Sequence, residues 1–224
     1  MIVTKYIKIF FALLVCIITS NILYCQTKDF TLWTNVGIDK KVNKKLSIEG
    51  EFQLRFNNNV QNLNGYYYSA DFKYKLNKKW RVIIQSRYKT SSDEDVLRLG
   101  GGLNYDFKLM NFKIDLRQLY QADIPMYKLS KDFYNNTRHQ LRSRLKLDYD
   151  LMKNISASFA PEAYWRFNEG NIYLARMRYA FGLDYKIVKN TIIQLQYLVQ
   201  PNYNPTGYLD EMDYIFGVGL VRKI

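Results

Sequence analysis

The chain has 224 residues, with 33 Lys and Arg against 20 Asp and Glu and a formal net charge of +13. That length suits one large all-β domain or a small barrel and forces no second domain. A content of 20 Tyr and 13 Phe beside 4 Pro excludes a disordered chain, and a mean hydropathy of −0.31 excludes a helical membrane protein.

The N-terminus carries Lys5 and Lys8, then an apolar run over 9–18 and a more polar stretch to Cys25. This is the layout of a cleaved signal peptide, expected over 1–25, with the barrel over 26–224. The run is well short of the ~20 residues that span a bilayer, which argues against an uncleaved anchor. Tyr24 is too bulky for lipid attachment at Cys25. Both cysteines, Cys16 and Cys25, fall inside this leader, so the mature chain would have no thiol chemistry. A basic exported chain is expected to meet anionic lipid head groups, glycolipid or small anions and no nucleic acid.

A strict period of two follows. A strand over 30–39 sets Phe30, Leu32, Val36 and Ile38 against Trp33, Asn35 and Asp39. The segment 46–56 (LSIEGEFQLRF) sets Leu46, Ile48, Phe52, Leu54 and Phe56 against Ser47, Glu49, Glu51, Gln53 and Arg55. Successive side chains of a strand point to opposite faces, so this is a strand with one apolar and one charged face. Further strands are expected over 66–76, 80–90, 97–107, 112–122, 137–149, 155–167, 172–187, 191–200 and 212–224. Ile83 interrupts the polar face of the fourth, Gly100 to Gly102 suit a bend or close packing in the fifth, and Pro161, which lacks a donor, predicts a bulge in the eighth. In the seventh the polar face is nearly a cation ladder of Arg138, Gln140, Arg142, Arg144, Lys146 and Asp148.

Aromatic residues gather at both ends of the apolar face. Tyr74, Trp80, Tyr105, Phe107, Phe112, Tyr149 and Tyr185 lie beside short turns; Tyr66, Tyr88, Tyr120, Trp165, Phe167 and Tyr173 lie beside the other connections. Two girdles around an aliphatic band, with short turns alternating with loops over 57–65, 123–136 and 201–211, describe an up-and-down antiparallel transmembrane β-barrel of roughly ten to twelve strands. Eleven segments alternate, whereas single-chain bacterial barrels have an even number, so ten or twelve are expected. The polar faces then form an interior charge network of Glu49, Glu51, Arg55, Asp71, Arg87, Asp115, Arg117, Arg142, Arg144, Glu162, Arg176 and Arg178, joined by Asp184. A small barrel filled by such a network is a plug, and cations exceed anions in it, so any residual lumen is positive.

Trp33, Glu51 to Arg55, the Arg138 to Arg144 ladder and the strand end Gly182, Leu183, Asp184, Tyr185 resemble the exported proteins grouped as domain of unknown function 2490. The resemblance implies an outer-membrane-type barrel and brings no known activity or catalytic residues.

No catalytic, cofactor or metal motif stands out. The sole histidine, His139, shares a face with Ser143, but four residues of strand span ~13 Å, too far for a proton relay. Glu49, Glu51 and Glu162 could form an acid and base pair, yet each sits among arginines. One His and no mature Cys disfavour a metal. The ladder of Arg138, Arg142 and Arg144 could bind phosphate or sulfate, or pair with carboxylates on adjacent strands. The primary expectation is a non-enzymatic outer-membrane barrel of a Gram-negative-type cell, structural or accessory at the surface, with loops 123–136 and 201–211 as recognition elements. Two other readings stay open: a narrow channel for small anionic solutes, and an outer-membrane lipid-modifying enzyme.

Overall fold

The computed structural model describes residues 28–92, 94–128, 137–168 and 171–224. The expected leader and most of loop 123–136 lie outside the described residues. Eleven strands follow one another: β1 (Lys28–Lys41), β2 (Leu46–Asn57), β3 (Asn62–Lys75), β4 (Trp80–Thr90), β5 (Glu94–Leu109), β6 (Phe112–Lys128), β7 (Arg138–Met152), β8 (Ile155–Asn168), β9 (Asn171–Val188), β10 (Thr191–Tyr203) and β11 (Leu209–Lys223). Each pairs antiparallel with the next, and β1 closes the barrel against β11.

The expected even number is corrected by that closure. In an up-and-down chain with eleven strands the first and last run the same way, so the seam is parallel, from Lys28↔Met212 to Asp39↔Lys223. A parallel ladder satisfies backbone donors with slanted, evenly spaced bonds and leaves no open edge. Beyond it, Lys41 N donates to Ile224 O at 3.1 Å and Ile224 N to Asp39 O at 2.9 Å.

Turn chemistry explains the tight end. Asn43 and Asn77 open the same Asn-Lys-Lys turn, each side-chain oxygen accepting two backbone N–H groups at 2.8 to 2.9 Å. The opposite connections are shorter than expected, because β3, β6, β10 and β11 run on into stretches read as loop, leaving only 58–61 and 204–208 at two of them. Proline 161 makes no bulge. The β8 ladder stays in phase on both sides of it, and the shift falls at Tyr164/Trp165, where Ala175 is the extra residue of β9.

The exterior is apolar: Val36, Ile38, Ile84, Leu103 and Leu220 are exposed, with Tyr74, Trp80 and Phe112 toward the turns and Tyr68, Tyr120 and Trp165 toward the loops. A continuous belt of this kind is stable against hydrocarbon and not against water. The interior holds a small apolar core beside its charges. Ile83, Leu119, Ile215 and Leu198 are buried on the inner face, so the exception at Ile83 is a core position.

Gly102 makes that core possible. It pairs with Ile83 on one side and Leu119 on the other. A Cβ on it would stand 2.1 Å from Gln118 O and 2.8 Å from Leu119 Cα. Gly102→Ala must push β5 from β6 and is expected to cost at least about 1–3 kcal/mol, read as a lower urea midpoint of the folded barrel.

Candidate functional site

Side chains at the inward positions enclose two cavities. One, of about 1160 Å³, opens at the short-turn end; the other, of about 380 Å³, opens at the loop end. Arg87 of β4 and Arg142 of β7 line both, so the boundary between the chambers passes through them. The network therefore leaves room in the lumen and does not fill it.

An alternating row of rings and guanidinium groups crosses the barrel at this level. The Arg55 guanidinium lies between Tyr67, at 3.8 Å, and Trp33, at 3.7 Å. Trp33 also faces Arg178 at 5.4 Å, Arg178 faces Tyr164 at 5.3 Å, and Tyr164 faces Arg142 at 4.8 Å. The row joins β3, β2 and β1 on one wall to β9, β8 and β7 on the other. Cation–π contacts of about 0.5–2 kcal/mol each let cationic side chains pack together without carboxylates between them.

Below the row, toward the turns, arginines are neutralised. Glu162 is buried and accepts from Arg142 Nη2 with both oxygens at 3.0 Å, from Arg117 Nη2 at 2.8 Å and from the Tyr164 hydroxyl at 2.8 Å. Asp115 takes Arg144 at 2.8 Å and Arg81 at 3.1 Å, and also accepts from Asn104. Lys73 pairs with Glu49, Gln85 donates to Asp71 at 2.6 Å, and Asn35 donates to Glu51 at 3.3 Å. Two arginines of the ladder pair with adjacent strands, Arg142 with Glu162 on β8 and Arg144 with Asp115 on β6, whereas Arg138 reaches Glu94 on β5, two strands away.

Above the row the pattern changes. Among the described residues Arg55, Arg87, Arg166, Arg176 and Arg178 form no salt bridge with a carboxylate; Arg55, Arg176 and Arg178 are held instead by the amide oxygens of Gln53, Asn202 and Gln200. The loop-side chamber is lined by nine Lys and Arg against five carboxylates, and the turn-side chamber by twelve against eight. Both are therefore positive.

Of the twelve residues expected inside, Asp115, Arg117, Arg142, Arg144 and Glu162 form the carboxylate-paired group and Arg55, Arg176 and Arg178 the amide- or ring-held group, while Glu49, Glu51 and Asp71 meet Lys73, Asn35 and Gln85, and Arg87 lines both chambers. Asp184 lines the turn-side chamber, with Gln194 donating to it at 3.4 Å. Sequence reasoning put Trp33 on the polar face of the first strand without assigning it a role, and gave none to Tyr164, Tyr67 or Asp213. Their inward parity was the available signal. His139 and Ser143 lie outside the lumen and apart in function: the His139 ring bonds the Tyr120 hydroxyl at 2.7 Å, and Ser143 donates to Gln118 at 2.8 Å. No group able to hold a metal ion occurs among the described residues.

The sequence pattern of a family described as "Protein of unknown function (DUF2490)" matches residues 30–212. No curated protein matches the chain. Among solved structures the chain is similar to a NanC porin, with 15% identity and a TM-score of 0.55 over 88% of this chain and 99% of that one. It is more distantly similar to OccK11 (OpdR) of Pseudomonas aeruginosa, with 10% identity and a TM-score of 0.35 over 75% and 54% of the two chains. A comparable likeness joins it to OccAB4 of Acinetobacter baumannii, at 9% identity and a TM-score of 0.35 over 76% and 51%. The NanC likeness is one of fold.

Proposed function

The chain belongs to the family described as protein of unknown function DUF2490, and from that premise we propose that it is an outer-membrane barrel serving as a narrow, non-enzymatic channel for small anionic solutes. The observation that carries this reading is the cation excess in both chambers, with Arg87 and Arg142 at their boundary. A low-dielectric wall focuses such a field along the axis, concentrating anions and repelling cations. The porin-like fold and the apolar exterior support a site in the outer membrane, with the short lysine-rich turns toward the periplasm and the other connections outward.

Reconstitution tests the reading. Liposomes containing the purified barrel should take up the sodium salts of small carboxylates faster than neutral sugars of the same size. Equal rates for the two would remove the preference for anions, and rates no faster than those of empty liposomes would remove the channel. The ring and guanidinium row across the lumen favours a second reading, a closed barrel of structural or accessory role. Complete absence of uptake and of current would assign that role instead.

A further inference from the structure

Three arginines of the loop-side half are oriented by a chemistry different from the carboxylate pairing that holds the arginines of the turn-side half. In the loop-side half Arg55 Nε donates to Gln53 Oε1 at 2.7 Å, Arg176 Nε to Asn202 Oδ1 at 2.6 Å, and Arg178 Nε and Nη2 to Gln200 Oε1 at 3.0 and 2.6 Å. A neutral amide fixes the direction of a guanidinium without cancelling its charge. Two of these amides are themselves anchored, since Gln200 Nε2 and Asn202 Nδ2 both donate to Asp213 Oδ2, at 2.5 and 3.0 Å. One carboxylate thus aims two arginines while standing one amide away from each.

The same groups converge. Arg55 and Arg178 share the Trp33 ring, and Arg176 and Arg178 share the Tyr164 ring. Arg166 lines the same chamber, and its buried Nε has no hydrogen-bond partner among the described residues. Three of the other carboxylates of the chamber are engaged away from this cluster. Asp123 is taken by Arg98, Glu94 by Lys89 and Arg138, and Asp29 accepts backbone N–H groups of Asn58 and Asn59; Glu211 and Asp213 also face the space, and the lining is cationic with both counted.

We propose that the loop-side chamber is a binding site for a small polyvalent oxyanion, bearing carboxylate or phosphate groups, held by Arg55, Arg166, Arg176 and Arg178 with Asp213 as a positioning residue. The fork of each guanidinium matches two oxygens of such a group, whereas chloride offers a single contact. The Trp33 and Tyr164 rings already carry guanidinium groups, so recognition is by charged edges and not by ring stacking. A chamber of about 380 Å³ is of small-molecule size. This deepens the anion-channel reading and rests on its open loop-side mouth, but binding does not need conduction.

Trp33 supplies the readout, because the other two tryptophans, Trp80 and Trp165, face outward. The folded barrel in detergent is titrated at constant ionic strength with citrate, inorganic phosphate and chloride while tryptophan emission is followed. Citrate and phosphate should each give a saturable change at a concentration at least about tenfold below that needed for chloride, a difference of about 1.4 kcal/mol. Arg176→Gln and Arg178→Gln should each weaken citrate by about tenfold, with Arg178→Lys between wild type and Arg178→Gln because it keeps charge without the fork. Asp213→Ala separates positioning from bulk charge: removing an anion should tighten binding if charge alone acts, and weaken it if Asp213 aims the arginines. No saturable change in the wild-type barrel, or equal responses to chloride and citrate, overturns the site. Anion-selective current without any such change would do so too and leave the channel reading standing, while saturable binding without current would support the site and remove the channel.

Discussion

Replacing Glu162 by Gln is expected to destabilise the barrel by about 3–5 kcal/mol and, in the molecules that still fold, to raise anion selectivity. Glu162 is the shared acceptor of Arg142, Arg117 and the Tyr164 hydroxyl, and all three partners are buried or nearly so. Without its charge two guanidinium groups stay in the low-dielectric wall with no counter-ion, which is the costly half of a broken buried pair. The same change removes one negative charge at the chamber boundary and so makes the lumen more positive. Stability and selectivity therefore move in opposite directions, an outcome that general loss of structure does not produce. Urea titration of the reconstituted barrel measures the first and bilayer recording the second; a variant that matched wild type in both would contradict the role given to Glu162.

Trp33→Ala is expected to raise single-channel conductance several-fold. Trp33 is the ring from which both Arg55 and Arg178 are supported, and it links the two walls. Its removal takes away two cation–π contacts, about 1–4 kcal/mol together, and frees both arginines to withdraw toward the walls. Because their charges remain, selectivity for anions should persist while resistance falls. Conductance unchanged from wild type would show that the row does not limit the path. The adjacent Tyr67→Ala change removes one contact to Arg55 only and should have the smaller effect.

The barrel was largely legible in the residues. Alternation needs nothing beyond a bilayer outside and a polar lumen inside, and LSIEGEFQLRF displays it over its whole length. Strand ends were harder to read, for a physical reason. Where β3 begins at Asn62 or β6 runs on to Lys128, the hairpin passes beyond the apolar belt, so no alternation is imposed and backbone pairing alone continues the strand. The strand count was present in the eleven segments, and only the rule of even number set it aside. A parallel seam pairs the edge strands as completely as an antiparallel one.

Inside the lumen, parity told which side chains face inward but not what they meet. Arg178 of β9 reaches Trp33 of β1, a contact across the barrel that no local pattern encodes. Even on adjacent strands register alone misleads, since it places Arg144 beside Glu162 and Arg142 beside Tyr164, whereas the ion pairs formed are diagonal, Arg142 with Glu162 and Arg144 with Asp115. The distinction that matters most, amide-held against carboxylate-held arginine, depends on Gln200, Asn202 and Asp213. None of the three was singled out: Asn202 fell in the expected loop 201–211, and Gln200 and Asp213 lay at strand ends without an assigned role.

The most direct test is the zero-current potential of the reconstituted wild-type barrel under a KCl gradient. If the arginine-bearing faces enclose a positive path, the potential takes the sign of chloride permeation and collapses toward zero as salt screens the lumen. A steady potential of the sign of potassium permeation would contradict the account.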